Sequence, residues 1–279
     1  MSTWRAVLIV ALVAFGSAGL LAFVSRTPSE IRNVDEASQS TDASLGARFD
    51  RDQIARHGAY RGPIYLSFFL GLALEVAVLL VLALGPLPEL VRRLEGARGG
   101  VVLHAAVLGA VVALALGAAA LPLSFVRGYA MQHAWGLSTQ NLLQWFDDLG
   151  RGLLVSGVIA ALSTAAFFAV VRWQPKTWWI FGWLTFTVLT ALLVFIYPVV
   201  IAPLFNKFTP IEDTDLATKI RAMATEAGVN VDEVLVADAS RRTTAENAYV
   251  AGLGQTKRVV LYDTLLEGGG EDETLFVVA

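Results

Sequence analysis

The chain has 279 residues, of which 56% are hydrophobic and only 16% charged, whereas ordinary soluble domains carry about 25% charged residues. Such a composition excludes a conventional soluble domain and reads as a multi-span membrane protein. The net charge of −3 gives no basis for a nucleic-acid partner, and the absence of cysteine excludes disulfides, thiolate metal ligands and a cysteine nucleophile.

Taken in chain order, five stretches approach or exceed the length a helix needs to cross a bilayer. The first, an uncharged run from Ala6 to Ser25 behind Arg5, is either a retained helix or a cleaved signal peptide. Its length and the lack of a small-x-small cleavage site favour a transmembrane helix or signal anchor over residues 1–25. Residues 26–62 follow as a polar linker and a short charged surface helix ("RFDRDQIARHGAYRG"). Residues 63–202 hold four further spans: Pro63 to Leu87, interrupted by Glu75; Gly99 to Val126, with His104; Gly152 to Val171; and a run beginning at Thr177. If all five cross, nine basic residues flank the side of Arg26, Arg127 and Lys207, against six on the side of Arg5, Arg92 and Lys176. That bias places the first side, and everything after the fifth span, in the cytoplasm.

Near Pro203 the hydropathy drops and a soluble module, residues 203–279, begins. Asp213 and Thr214 can cap a helix with Leu216, Ile220, Met223 and Ala227 on one face and Gly228 as its stop. "EVLVAD", "NAYVAGLG" and "RVVLYD" read as strands, the last two joined as a hairpin around "QTK". The expected fold is thus a multi-span α-helical membrane bundle followed by a small α+β domain. At its end, Glu271-Asp272-Glu273 forms an acidic first turn, with Leu275 to Ala279 as the buried body of a helix. That helix has neither a glycine stop nor a basic last turn, so the reading expects a truncated element whose covering partners lie outside this chain.

Few residues advertise chemistry. Glu75 is costly in lipid; it either bonds a neighbouring helix or faces a watery interior. His57, His104 and His133 lack the i+3 or i+4 partners of a helical metal site, so no metal is expected on this chain by itself. His57 and His133 read as loop residues. Gly252 and Gly254 mark either an ordinary hairpin or an edge where another backbone approaches and an extended peptide could add as a strand.

"PLFNKFTPIED", "NAYVAGLGQTKRVVLYDTLLE" and "EDETLFVVA" resemble the type I CAAX prenyl proteases, membrane zinc metallopeptidases with bacterial relatives. "QIARHGAYRGPIY", "LPLSFVRGY" and "WGLSTQNL" look like the membrane domain of the bacterial branch. The resemblance implies that residues 203–279 are the first part of a metallopeptidase domain. It also implies that zinc, held by a His-Glu-x-x-His segment absent from this sequence, activates water in the full-length protein. Asn247, Ala248 and Tyr249 would then bind substrate as an edge strand, and Glu75 would line a chamber. Implied partners are the lipid bilayer and a peptide or protein substrate, which in part of the family is prenylated; the implied location is a bacterial cell membrane. Gln132, His133, Trp135, Gly136 and Leu137 depart from the eukaryotic pattern of acidic residues and His-Gly-Phe. Two other readings are a complete, non-catalytic membrane protein holding peptides on the 247–254 edge, and a transporter-like bundle built around Glu75.

Overall fold

The structure is a computed structural model that describes residues 3–26, 51–212, 214–231, 233–252, 257–268 and 270–278. Asp213 and Gly254, and nearly all of the linker read at 26–46, lie outside the described residues. Among the described residues, five helices are long and apolar enough to cross a membrane. The chain divides into two compact units, Met1–Arg98 with Val111–Trp135, and Gly99–Ala110 with Gly136–Ala279.

In the first unit, α1 (Thr3–Val24) packs along α2 (Arg51–Leu84). Ala14 of α1 meets Leu74 and Val78 of α2 and Ala119 in the later half of α4 (Val101–Phe125), all of them buried. Small residues at such a seam let helices approach closely, and in lipid that packing replaces the hydrophobic drive available in water. α2 runs unbroken through Pro63, so the charged segment and the second span form one helix. The sequence suggests two elements there because proline and the change of polarity coincide. α3 (Pro86–Glu95) follows after a break at Gly85.

The helix of the third span also outruns its apolar stretch. A π turn, Val126–Ala130, leads into α5 (Met131–Ala134). His133 therefore stands on a helix where the sequence reading has a loop, since helix propagation continues past the point where apolarity stops; His57 stands on the helix read from "RFDRDQIARHGAYRG". His133 Nδ1 lies 2.8 Å from the Tyr129 carbonyl oxygen, one turn back.

The second unit contains the fourth and fifth spans and the soluble module. α6 (Leu142–Trp173) starts at a capping box: Asn141 Oδ1 accepts from the Gln144 amide at 2.9 Å, and Gln144 Oε1 accepts from the Asn141 amide at 2.9 Å. α7 (Trp178–Ile196) ends in a π turn, Tyr197–Ile201, where Pro198 has no N–H to continue the α-helical ladder.

Beyond it lies a sheet of four strands: β1 (Phe208–Pro210), β2 (Glu233–Ala237), β3 (Ala248–Ala251) and β4 (Arg258–Tyr262), in the order β1-β2-β4-β3. β2 and β4 run parallel; the two outer pairings are antiparallel. One face of the sheet buries Val234, Val259 and Leu261 against Leu216 and Ile220 of α8 (Thr214–Glu226) and Leu265 of α9 (Asp263–Gly268). Each such fully buried aliphatic side chain contributes about 1.5–3 kcal/mol. The other face gathers Leu235, Ala237 and Val260 with Phe208, Tyr249 and Tyr262. Strand alternation accounts for the split, since successive residues of "RVVLY" point to opposite faces.

α8 ends in a Schellman motif. Gly228 takes φ +74°, its amide bonds the Thr225 carbonyl, and the Val229 amide bonds the Ala224 carbonyl at 2.7 Å. Leu216 and Ile220 are buried as the periodicity predicts, but Ala227 is exposed. α10 (Glu271–Val278) carries the expected acidic first turn, yet its buried residue is Thr274. Leu275 and Val278 pack half-buried against the core of the module, whereas Phe276 is 82% exposed and Val277 43%.

Candidate functional site

β3 is one of the two outer strands of the sheet, and its pairing phase fixes which main-chain groups are committed. The Tyr262 amide bonds the Asn247 carbonyl at 2.9 Å, and the register continues with Ala248 opposite Leu261, Tyr249 opposite Val260, Val250 opposite Val259 and Ala251 opposite Arg258. In an antiparallel ladder, hydrogen-bonded and non-hydrogen-bonded pairs alternate. Asn247, Tyr249 and Ala251 therefore direct their main-chain groups towards β4. The N–H and C=O of Ala248 and Val250 point off the edge of the sheet. The second residue with outward main-chain groups is thus Val250, which the sequence reading leaves out: pairing phase cannot be read from a run of residue types. Val250 is also exposed.

Tyr249 packs on the face that holds Val260 and Tyr262, its ring 6.2 Å from that of Tyr262 in an edge-on arrangement. Burial pushes its phenol above the usual tyrosine range; the neighbouring Tyr262 and Tyr197 add to this, and Arg258 partly opposes it. Arg258, at the β4 end of the hairpin, donates from Nη2 to the Pro198 carbonyl at 2.6 Å, tying the sheet to the π turn that ends the fifth span. Asn247 is exposed and Ala248 half-buried. Gly252 leaves the strand at φ +96°, a backbone region that glycine enters without cost.

The segment leading into β3 is clamped on both sides. Ser240 donates from its amide and its hydroxyl to the two carboxylate oxygens of Asp263, at 2.7 and 2.5 Å. Thr264 Oγ1 donates to the Ala245 carbonyl at 2.8 Å. Across the other side, Thr139 bonds the carbonyls of Arg242 and Ser240, and Thr243 Oγ1 donates to Leu137 at 2.9 Å. Arg242 is the hub. Its Nε lies 3.0 Å from Asp148 Oδ2, Nη2 donates to the Phe205 carbonyl, and its guanidinium stands 5.8 Å from the centre of the Phe205 ring. Asp148 also accepts from Gln140 Nε2 at 2.6 Å. No spacing signal marks these residues: Arg242 is one of two adjacent arginines, and Asp148 one of two adjacent acids in the second turn of α6.

Glu75 is exposed on α2 and has no hydrogen-bond or ion-pair partner among the described residues. A bond to a neighbouring helix, one of its two readings, is therefore not made. Among the described residues no three His, Cys, Asp or Glu side chains converge as a metal site. His133 is engaged with Tyr129 through the carbonyl contact and a ring contact of 4.1 Å. The donors present do not fit a zinc ion.

Comparison with known proteins places the chain. Residues 30–207 match a family model described as CAAX prenyl protease N-terminal, five membrane helices, and residues 210–279 match peptidase family M48. An uncharacterized metalloprotease, YhfN of Bacillus subtilis, is 30% identical over 246 residues, covering 88% of this chain and 58% of that protein. CAAX prenyl protease 1 of Saccharomyces cerevisiae is 34% identical over 162 residues, which are 57% of this chain and 35% of the yeast protein. The crystal structure of S. mikatae Ste24p superposes with a TM-score of 0.67 at 22% identity, covering 94% of this chain and 62% of that one. At that identity the likeness is one of fold. The chain spans 58% or less of the length of these two curated relatives.

Proposed function

The chain belongs to the M48 family of membrane metallopeptidases, the family of the CAAX prenyl proteases, and from that premise we propose that it supplies the membrane body and the substrate-aligning strand of a peptide-bond hydrolase. An extended peptide adds to β3 as a further strand. The observation that carries this reading is the pair of outward main-chain groups on Ala248 and Val250 at the edge of the sheet. Asn247 and Tyr249 contribute side chains rather than main-chain pairing, Asn247 from the exposed start of the strand and Tyr249 as an apolar wall. Strand addition draws affinity from the backbone and selectivity from alternate side chains.

This chain's own chemistry is binding and orientation. Zinc is the metal the family implies, and the described residues do not build its site. The bias of basic residues supports a cytoplasmic side for the sheet, and the likeness to YhfN of Bacillus subtilis supports a bacterial cell membrane. Glu75, exposed within a span, is assigned to the lining of a watery chamber, because an uncompensated carboxylate against acyl chains is costly. The substrate class is an extended peptide segment, and prenylation is a property of only some substrates of the wider family.

Val250→Pro tests the edge. Proline there removes an outward N–H and no β3–β4 ladder bond, a position at which edge strands tolerate it. In the detergent-solubilised protein, Val250→Pro should weaken binding of a fluorophore-labelled extended peptide about tenfold, the loss of one good hydrogen bond, at unchanged Tm. Tyr249→Pro breaks a ladder bond and should lower Tm. Peptide affinity unaffected by Val250→Pro would remove β3 from substrate binding.

A further inference from the structure

α3 is built differently from every other helix of the first unit. Leu87, Leu90, Val91 and Leu94 follow the i, i+3, i+4, i+7 pattern and form a single apolar stripe. Glu89, Arg92 and Arg93 occupy the opposite side. Arg92 donates to Glu89 Oε2 at 2.5 Å and Arg93 to Oε1 at 3.0 Å. These contacts, with Arg92 the stronger influence, hold the Glu89 carboxyl below its ordinary value. Leu87, Leu90, Val91 and Leu94 are each half-buried while Arg92 and Arg93 are exposed, so the described residues cover the stripe only in part.

What covers the remainder follows from where the helix begins. The second span ends at Leu84, and α3 starts two residues later, after Gly85 and with Pro86 in its first turn. Proline there cannot continue the hydrogen-bond ladder of α2, so the chain must start a new helix at the level where the span leaves the hydrocarbon. At about 1.5 Å per residue a helix of this length is far too short to cross a bilayer. A short helix with one apolar side and paired charges on the other, fixed at that depth, matches the boundary between headgroups and acyl chains.

We propose that α3 lies in the plane of the bilayer surface, with Leu87, Leu90, Val91 and Leu94 seated on the acyl-chain ends and Glu89, Arg92 and Arg93 at headgroup level. The arginine stems cover apolar surface while their guanidiniums reach the phosphates and water. The helix acts as a float that sets the depth and rotation of the second span.

The absence of cysteine makes a spin-label scan direct. The intact protein, reconstituted in phosphatidylcholine vesicles, carries one label at a time at Leu87→Cys, Leu90→Cys, Val91→Cys, Arg92→Cys, Arg93→Cys or Leu94→Cys. None of these side chains is buried, and far-UV circular dichroism checks that each variant folds. Collision with oxygen, which concentrates in lipid, should be several-fold higher relative to a water-soluble nickel chelate at 87, 90, 91 and 94 than at 92 and 93. High nickel accessibility at all six positions puts α3 in water and overturns the proposal. Low accessibility to both reagents on the apolar stripe means that protein covers it completely, from this chain or a second copy, and overturns it equally.

Discussion

Tyr249 and Arg242 show how single side chains hold the edge strand. A tyrosine whose folded form resists ionisation contributes stability that is complete below the unfolded value of about 10 and is lost as pH rises through the raised folded value. The wild-type sheet should therefore lose thermal stability on the alkaline side of about pH 10, and Tyr249→Phe should flatten that decline. Melting curves of the two proteins across the alkaline range check it, and parallel slopes would contradict it. Arg242 and Asp148 keep only 22% and 17% of their side-chain surface exposed. Truncating one partner of such a pair leaves the other charge shielded and alone, so Arg242→Ala should cost about 3 kcal/mol. The measurement is the unfolding midpoint in detergent, where Arg242→Lys should fall between wild type and alanine: it keeps the charge and loses the planar fork.

Between elements, the closest tolerance in the second unit is where α4 crosses α6. A methyl group on Gly109 would stand 2.7 Å from the Ala160 carbonyl oxygen and press on Thr164. The carbonyl belongs to a helix backbone and cannot rotate aside. Gly109→Ala should therefore push the helices apart and cost about 1–3 kcal/mol, read as a lower Tm, whereas Gly150→Ala, with open space around it, should not. The spans themselves are legible from sequence because twenty or so apolar residues leave few alternatives. Their ends are not: the π turns at Val126–Ala130 and Tyr197–Ile201 and the passage of α2 through Pro63 depend on neighbours that no local pattern reports. α3 escapes a hydropathy reading for a related reason, since its apolar residues are diluted by charge and only their angular spacing reveals them.

For the molecule as a whole, the sequence reveals a membrane bundle joined to a mixed α+β module, and the family to which the chain belongs, because apolar length and ordered runs such as "NAYVAGLGQTKRVVLYD" survive as text. β1 goes unread: three residues, "FTP", carry no alternation to detect. Nor does the text say that β4 inserts between β2 and β3, or that Val250, rather than Asn247, offers its main chain to the edge; both facts come from pairing over long sequence distances. That strand order also sets a schedule. β4 is the last of the four strands to be synthesised, yet both β2 and β3 pair with it. Until residues 258–262 emerge from the ribosome, β3 has no ladder to rest on and the sheet has only its β1–β2 half. The surface that would receive a peptide cannot exist early in translation, so a nascent chain offers no half-built groove to the unfolded segments around it.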